Sequence, residues 1–128
     1  MSYTISKTLR GDFKEVINKV TEELKKEGFG IISEVDMKEK FREKLDIDFR
    51  NYTILGACNP KLAHEAIGKE SRIGVMLPCN ILVQDQEEGT VDVSAVNPLT
   101  SIGSVKNAEL ENIAEQVNGK LKKVMDNL

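Results

Sequence analysis

The chain is short of the residues and segments that most often identify a function. Its 128 residues include only two cysteines and one histidine. No apolar run approaches the ~20 residues of a membrane helix, and the N-terminus lacks the successive segments of a secretory signal. We therefore expect a cytoplasmic protein with no membrane partner. In that reducing compartment, the cysteines are expected to be free thiols, ligands or redox groups rather than a structural disulfide.

The charge is slightly acidic and the common catalytic motifs are missing. Eighteen basic and 21 acidic side chains give a formal charge of −3, whereas proteins that bind nucleic acid usually present a basic face. The sequence has no glycine-rich nucleotide-binding loop, no phosphate-binding loop and no serine nucleophile motif. These absences predict no nucleic-acid partner. They leave no complete catalytic set, so we do not expect an enzyme, and the sequence assigns no cofactor.

Apolar periodicity predicts one α+β domain over residues 1–128, with elements in the order β-α-β-α-β-α-β-β-α. The first strand covers residues 2–9 and places Tyr3 on the same side as Ile5 and Leu9. Asp12 and Asp36 have the spacing of helix N-caps. Two further features are turn and cap signals: Gly28 is expected to end the first helix, and residues 87–89 are expected to join the last two strands as a hairpin.

Each predicted helix carries a single apolar stripe. Met37, Phe41 and Leu45 give the second helix a short amphipathic pattern, and the stripe of the third helix consists of Leu62, Ala63, Ala66 and Ile67. The last helix runs from its cap at Asn107 to about Asp126, with a stripe long enough to cross the sheet. Helices with one stripe cover one face of a sheet. The other face is therefore predicted to be exposed to solvent, covered by a ligand or paired with a second copy.

Two short segments hold both cysteines. Residues 56–60 read Gly-Ala-Cys-Asn-Pro and residues 77–80 read Leu-Pro-Cys-Asn. Each Cys-Asn step has a proline beside it and lies next to an apolar run typical of a strand. We therefore expect Cys58, Asn59, Cys79 and Asn80 to converge on one patch, where the third strand ends and the fourth begins. Pro60 suits the first position of a helix that Asn59 caps.

The chemistry of the two thiols has several interpretations. A thiol at a helix start is favoured as thiolate, so Cys58 could be a nucleophile, a redox centre or a soft-metal ligand. Cys79 could be its redox partner, and His64 could complete a Cys-Cys-His metal set. The alternatives are that both cysteines are small buried residues and that His64 lies on the surface without a role. Two cysteines alone are too few for a structural zinc site, so none is predicted.

Several of these residues together resemble a known family. They are Tyr52 to Pro60, Leu62, Ala63, Ala66, Ile73, Gly74, Leu77 to Asn80, Val93, Asn97 and Pro98. In this pattern the chain resembles the family called domain of unknown function 302, over nearly its whole length. The resemblance implies a β-α-β(4)-α order, a shape like that of the TATA-binding protein, and a homodimer. It implies no settled activity, and a shared shape does not transfer DNA binding.

These observations favour a non-catalytic module for assembly or for binding a small molecule, working as a homodimer. One alternative is a thiol redox or sulfur-handling protein that uses Cys58 and Cys79. Another is metal or haem binding through Cys58, Cys79 and His64. The three interpretations differ in whether the sulfurs lie together in an open cleft or are packed in the core.

Overall fold

In the computed structural model, which describes residues 2–128, five strands form one sheet in the order β1-β5-β4-β3-β2. Every neighbouring pair is antiparallel. The strands are β1 (Thr4–Arg10), β2 (Gly30–Asp36), β3 (Tyr52–Cys58), β4 (Cys79–Asp85) and β5 (Thr90–Val96). The edges of the sheet are therefore the first two strands of the sequence, and β4 lies at its centre.

Four α-helices alternate with the strands or follow them. They are α1 (Phe13–Lys26), α2 (Met37–Leu45), α3 (Pro60–Lys69) and α4 (Glu111–Asp126). Short 3-10 turns cover residues 71–76, 87–89, 102–104 and 108–110. The predicted α+β class and the predicted element order are both confirmed. The likeness in shape to the TATA-binding protein stays a prediction.

The helix ends form through the local signals expected from the sequence. The Glu15 N–H donates to the Asp12 carboxylate at 3.3 Å, and Asp36 caps α2 in the same way. At the end of α1, Gly28 has a φ of 82°, and the N–H of Phe29 donates to the Leu24 carbonyl at 2.9 Å. This pairing is the Schellman ending that a glycine in left-handed conformation permits.

The core lies between one face of the sheet, called here the inner face, and helices α1, α3 and α4. Inner-face residues of the three central strands are almost fully buried: Leu55, Ala57, Cys79, Ile81, Val83, Val91, Val93 and Ala95. The apolar stripe of α4 packs in the same cluster, with Leu121 at 0% exposure. Its regular helix begins at Glu111, slightly later than predicted, because Asn107 caps a 3-10 turn that precedes it.

Helix α2 forms where it was predicted, capped by Asp36. It has no buried residue, because it follows the edge strand β2 and lies beyond the core, where Phe41 packs edge-to-face on Phe49 at 5.0 Å. Two local predictions were wrong. Ile67 is 47% exposed, on the solvent side of α3. Tyr3 is 76% exposed because β1 begins only at Thr4, so strand alternation does not place its ring with Ile5.

The Leu77–Pro78 peptide bond, between the 3-10 turn at residues 71–76 and β4, is cis. Cis is the minority form, since only about 5% of X-Pro bonds in folded proteins are cis. Among residues 2–128, none of the helices is both long and apolar enough to cross a bilayer.

Candidate functional site

The two cysteines lie at neighbouring strand ends, as predicted. Cys58 is the last residue of β3 and Cys79 is the first residue of β4. Ala57 pairs directly with Cys79 across the two strands, which places Cys58 one residue beyond that pair. Strand geometry then puts the two cysteine α-carbons about 6 Å apart. The chain order β3-α3-β4 therefore returns the second cysteine to the strand beside the first. Because successive strand residues alternate, Cys79 shares its face with Ala57 rather than with Cys58.

Cys58 and Cys79 are both among the residues that line one small cavity between the sheet end and helices α3 and α4. Its volume is about 30 Å³, enough for a water molecule and far below the several hundred Å³ of a pocket for an organic ligand. Besides the cysteines, its wall is made by Phe29, Ala57, Asn59, Leu62, Ala63, Ala66, Leu77, Pro78, Ile102, Ile113 and Val117. This cavity is therefore too small to hold a metabolite.

The two thiols have different surroundings. Both are free, with Cys58 half-buried and Cys79 only 5% exposed. Burial, and to a lesser degree the neighbouring Cys58, raises the pKa of the Cys79 thiol from 9.0 to about 11. Because the thiolate is the nucleophilic form of cysteine, this shift disfavours Cys79 as a nucleophile at neutral pH.

Both polar groups of the Asn59 side chain form structural hydrogen bonds. Its side-chain oxygen accepts a hydrogen bond from the Leu62 N–H at 3.2 Å, which caps α3 as predicted. Its amide nitrogen donates to the Glu27 carbonyl at 3.4 Å, at the C-terminal end of α1. A Cβ built at Gly28 would approach that amide nitrogen to 3.0 Å. Asn59 thus ties the end of one helix to the start of another, and both ends of its amide are already in use.

Two of the predicted site residues lie elsewhere. Asn80 does not join Cys79, because successive strand residues point to opposite faces; it is exposed on the outer face of the sheet. His64 is exposed on α3 and is not part of the cavity wall. In the described chain, residues 2–128, no three histidine, cysteine, aspartate or glutamate side chains cluster as metal ligands. The Cys58–Cys79–His64 metal set is therefore not assembled.

The outer face of the sheet carries a much larger concavity, called here the outer groove. It has a volume of about 600 Å³. It crosses strands β1, β5, β4 and β3 and is lined by Tyr3, Thr4, Ser6, Tyr52, Asn80, Leu82, Gln84, Gln86, Asp92, Ser94 and Val96. Both tyrosines of the chain are among these residues. The lining is mainly polar and uncharged, with Asp92 as its single carboxylate.

A chain of side-chain hydrogen bonds runs across the floor of this groove. Asp92 accepts from Ser94 at 2.8 Å and from Gln84 at 3.4 Å. Ser94 shares a hydrogen bond of 2.8 Å with Ser6 on the edge strand.

At the other end of this chain, the Arg50 guanidinium donates twice to the Gln84 side-chain oxygen, at 3.1 and 2.9 Å. The same guanidinium lies 4.5 Å from the ring centroid of Phe49 and 5.5 Å from that of Tyr52. Cation–π contacts of this kind fix the position of an arginine. The groove floor is thus a connected polar network that spans strands β1, β5 and β4 and reaches Arg50, just before β3.

The outer groove was not recognised as a site from the sequence. The alternation in β5 correctly predicts that Asp92 and Ser94 face away from the core. Their partners Gln84 and Ser6 lie on different strands, however, and the pairing depends on β5 lying between β1 and β4. The one sequence signal for this site was the prediction that helices leave one face of the sheet uncovered.

Fold and site together define a small α+β module with a helix-covered face and an open polar face. A sequence profile of the family described as "Domain of unknown function DUF302" matches residues 5–128. The chain therefore belongs to this family, as its motif pattern predicted.

Among solved structures, the chain is similar to one described as an uncharacterized conserved protein DUF302 from Bacillus stearothermophilus. The two are 29% identical with a TM-score of 0.90, and the match covers 99% of this chain and 98% of the other. No curated protein matches the chain.

Proposed function

We propose that this chain is a non-catalytic, cytoplasmic binding module that works as a homodimer and holds a small polar molecule in the outer groove. The observation that carries the proposal is the difference in size between the outer groove and the cysteine cavity. The outer groove measures about 600 Å³ and the cysteine cavity about 30 Å³. Ligand pockets span roughly 300–1,000 Å³, so of these two sites the groove falls within that range and the cysteine cavity does not.

The lining indicates the kind of ligand. Amide, hydroxyl and carboxylate groups from Asn80, Gln84, Ser94 and Asp92 present both donors and acceptors along the groove. Tyr52 adds an aromatic face whose position is held by the Arg50 guanidinium. Groups of this type bind polar molecules with little net charge, because one carboxylate cannot balance a strongly charged partner. We therefore expect an uncharged, hydrogen-bonding ligand.

A second copy would complete the site. A ligand on an open sheet face is covered from one side only, whereas small-molecule sites commonly bury 70–90% of the ligand. Leu82 and Val96 add half-buried apolar surface to the same face. Two copies facing each other across the groove would cover this surface and enclose the ligand. The homodimer expected for the family agrees with this arrangement.

The thiol-redox interpretation has less support. Its resolving thiol would be Cys79, and the raised pKa of that thiol, about 11, works against the thiolate that exchange requires. The exposed position of His64 likewise removes the third ligand that the haem or metal interpretation needs.

The test of assembly is light scattering over a dilution series. We expect wild-type protein to have twice the chain mass of 14.3 kDa, and Leu82→Glu to have the mass of one chain. The matched control is Val75→Glu, which adds the same charge at a residue that is 84% exposed and not in the groove. A wild-type mass of 14.3 kDa at every concentration, or a dimeric Leu82→Glu protein, would contradict the arrangement.

Ligand binding is tested by thermal shift with monosaccharides, nucleosides and amino acids as probes. We expect at least one probe to raise the melting temperature of the wild type and to lose that effect in Asp92→Asn and Tyr52→Ala. His64→Gln is the control, since His64 is exposed on α3. A probe whose effect survives both groove substitutions would place the binding site elsewhere.

A further inference from the structure

The outer groove adjoins a second concavity, called here the side hollow, where β4 ends. The side hollow has a volume of about 380 Å³ and is lined by Arg50, Gln84, Asp85, Gln86, Glu87 and Thr90. Gln84 and Gln86 also line the outer groove, so the two concavities meet at these side chains. Arg50 in the side hollow and Asp92 in the outer groove are therefore separated by Gln84.

The Gln84 amide joins two opposite charges. Its oxygen accepts from the Arg50 guanidinium at 3.1 and 2.9 Å, and its nitrogen donates to the Asp92 carboxylate at 3.4 Å. Within residues 2–128, neither Arg50 nor Asp92 forms an ion pair with another side chain. The two charges are thus linked through a neutral amide, and each is available to a ligand of opposite charge.

Both charged groups have unused hydrogen-bonding capacity. Ser94 and Gln84 both donate to Oδ2 of Asp92, and no group in the described chain donates to its Oδ1. The Arg50 bonds use Nε and Nη2, and its Nη1 has no hydrogen-bond partner among residues 2–128. The remaining N–H groups of a guanidinium form a fork that matches a carboxylate. The aromatic rings beside this guanidinium hold it in position.

We propose that Arg50 and Asp92 recognise a free α-amino acid, whose carboxylate bonds to Arg50 and whose ammonium group bonds to Asp92. The inference rests on the proposed function, because the side chain of this ligand would lie in the outer groove. In an α-amino acid the nitrogen and oxygen atoms are separated by only one bond more than in an amide. The zwitterion can therefore span the same two charges beside Gln84, and it carries no net charge.

The charges of the side hollow favour a zwitterion over a simple anion. Asp85 and Glu87 lie in its wall with Arg50, and their carboxylates repel a ligand that is only negative. The contact of the ammonium group with Asp92 offsets that repulsion. A ligand that is only positive would gain nothing from Arg50. Both charged ends of the amino acid are therefore needed for tight binding.

The test begins with a thermal shift screen of the standard L-amino acids. Calorimetric titration then gives the affinity of the strongest binder, of its N-acetyl derivative and of its carboxamide. Each derivative lacks one charged end, so we expect it to bind about 10–100-fold more weakly, the usual loss for one hydrogen bond to a charged group. Arg50→Gln and Asp92→Asn should each weaken the free amino acid by a similar factor.

Crossing the variants with the derivatives assigns each end of the ligand. Arg50→Gln should not weaken the carboxamide further, and Asp92→Asn should not weaken the N-acetyl derivative further. The matched control is Arg72→Gln, which removes an exposed arginine that lines neither concavity and should leave the affinity unchanged. Circular dichroism of each variant checks that the fold is kept.

Three results would overturn the inference. They are derivatives that bind as tightly as the free amino acid, an affinity that neither substitution lowers, and binding of a monosaccharide or nucleoside but of no amino acid. The last result would keep the proposed function, because the outer groove would still hold a small polar molecule. Absence of binding by every class of probe would contradict the proposed function and this inference together.

Discussion

The two faces of the sheet differ in what their side chains do. On the inner face, Leu55, Ile81 and Val93 are at most 1% exposed and pack against three helices. On the outer face, Gln84, Asp92 and Ser94 form hydrogen bonds with one another beside an open groove. The same strands supply both sets, because alternate residues point to opposite sides. This alternation separates Cys79 on the inner face from Asn80 on the outer face. The asparagines of the two Cys-Asn steps therefore have different roles, since Asn59 caps α3 and Asn80 lines the outer groove.

The largest expected effect compares a leucine on each face. Leu121 of α4 is fully buried against the inner face, so Leu121→Ala should cost about 2–5 kcal/mol of unfolding free energy. Leu82 on the outer face is half-buried in the single chain, and Leu82→Ala should cost about 1 kcal/mol in dilute protein. Chemical denaturation measures both, and equal losses would mean that the two faces are packed alike.

The next effect concerns the buried thiol at high pH. Because burial raises the pKa of Cys79 from 9.0 to about 11, the folded chain keeps this proton where the unfolded chain has lost it. The resulting stability is fully present below pH 9 and is lost as the pH rises through 11. The loss should be about 2–3 kcal/mol.

The measurement is the difference in unfolding free energy between the wild type and Cys79→Ala from pH 8 to pH 11.5, which cancels the titration of other groups. We expect the advantage of the wild type to shrink across this range. A difference that stays constant with pH would show that Cys79 is more accessible to water than its 5% exposure indicates.

The smallest effect separates the two asparagines. Asn59→Ala removes the cap of α3 and the bond to Glu27, so it should cost about 1–2 kcal/mol. Asn59→Ser keeps a capping oxygen and should recover most of that loss. Asn80→Ala changes an exposed side chain next to the other cysteine and should be nearly neutral. Denaturation curves in which Asn80→Ala costs as much as Asn59→Ala would refute the assignment of the two residues to different faces.

Sequence reasoning reached the parts of this structure that local signals determine. The caps at Asp12, Asp36 and Asn59, the turn at Gly28 and the stripe of α4 depend on residues within a few positions of one another. The resemblance to the domain of unknown function 302 family correctly predicted the family of the chain. The proximity of Cys58 to Cys79 was also predicted, since two adjacent strands separated by one helix return to the same end of a sheet.

The remaining features depend on strand order and on faces. The predicted patch placed Cys79 and Asn80 together, which strand alternation forbids. The network from Arg50 through Gln84, Asp92 and Ser94 to Ser6 joins residues up to 88 positions apart (Ser6 to Ser94) only because β5 lies between β1 and β4. No periodicity in a single segment carries that information. The exposed position of α2 could not be predicted for a similar reason, since its pattern does not reveal that β2 is an edge strand.

The central claim is that the outer face is the working surface of this protein and is covered by a second copy. The chain contains two tyrosines and no tryptophan, and both tyrosines line the outer groove. Tyrosine fluorescence therefore reports on this face alone, and its quenching by acrylamide measures how open the groove is. We predict weaker quenching for concentrated wild type than for Leu82→Glu, with the two values converging as the wild type is diluted. Identical quenching of the two proteins at every concentration would contradict the claim.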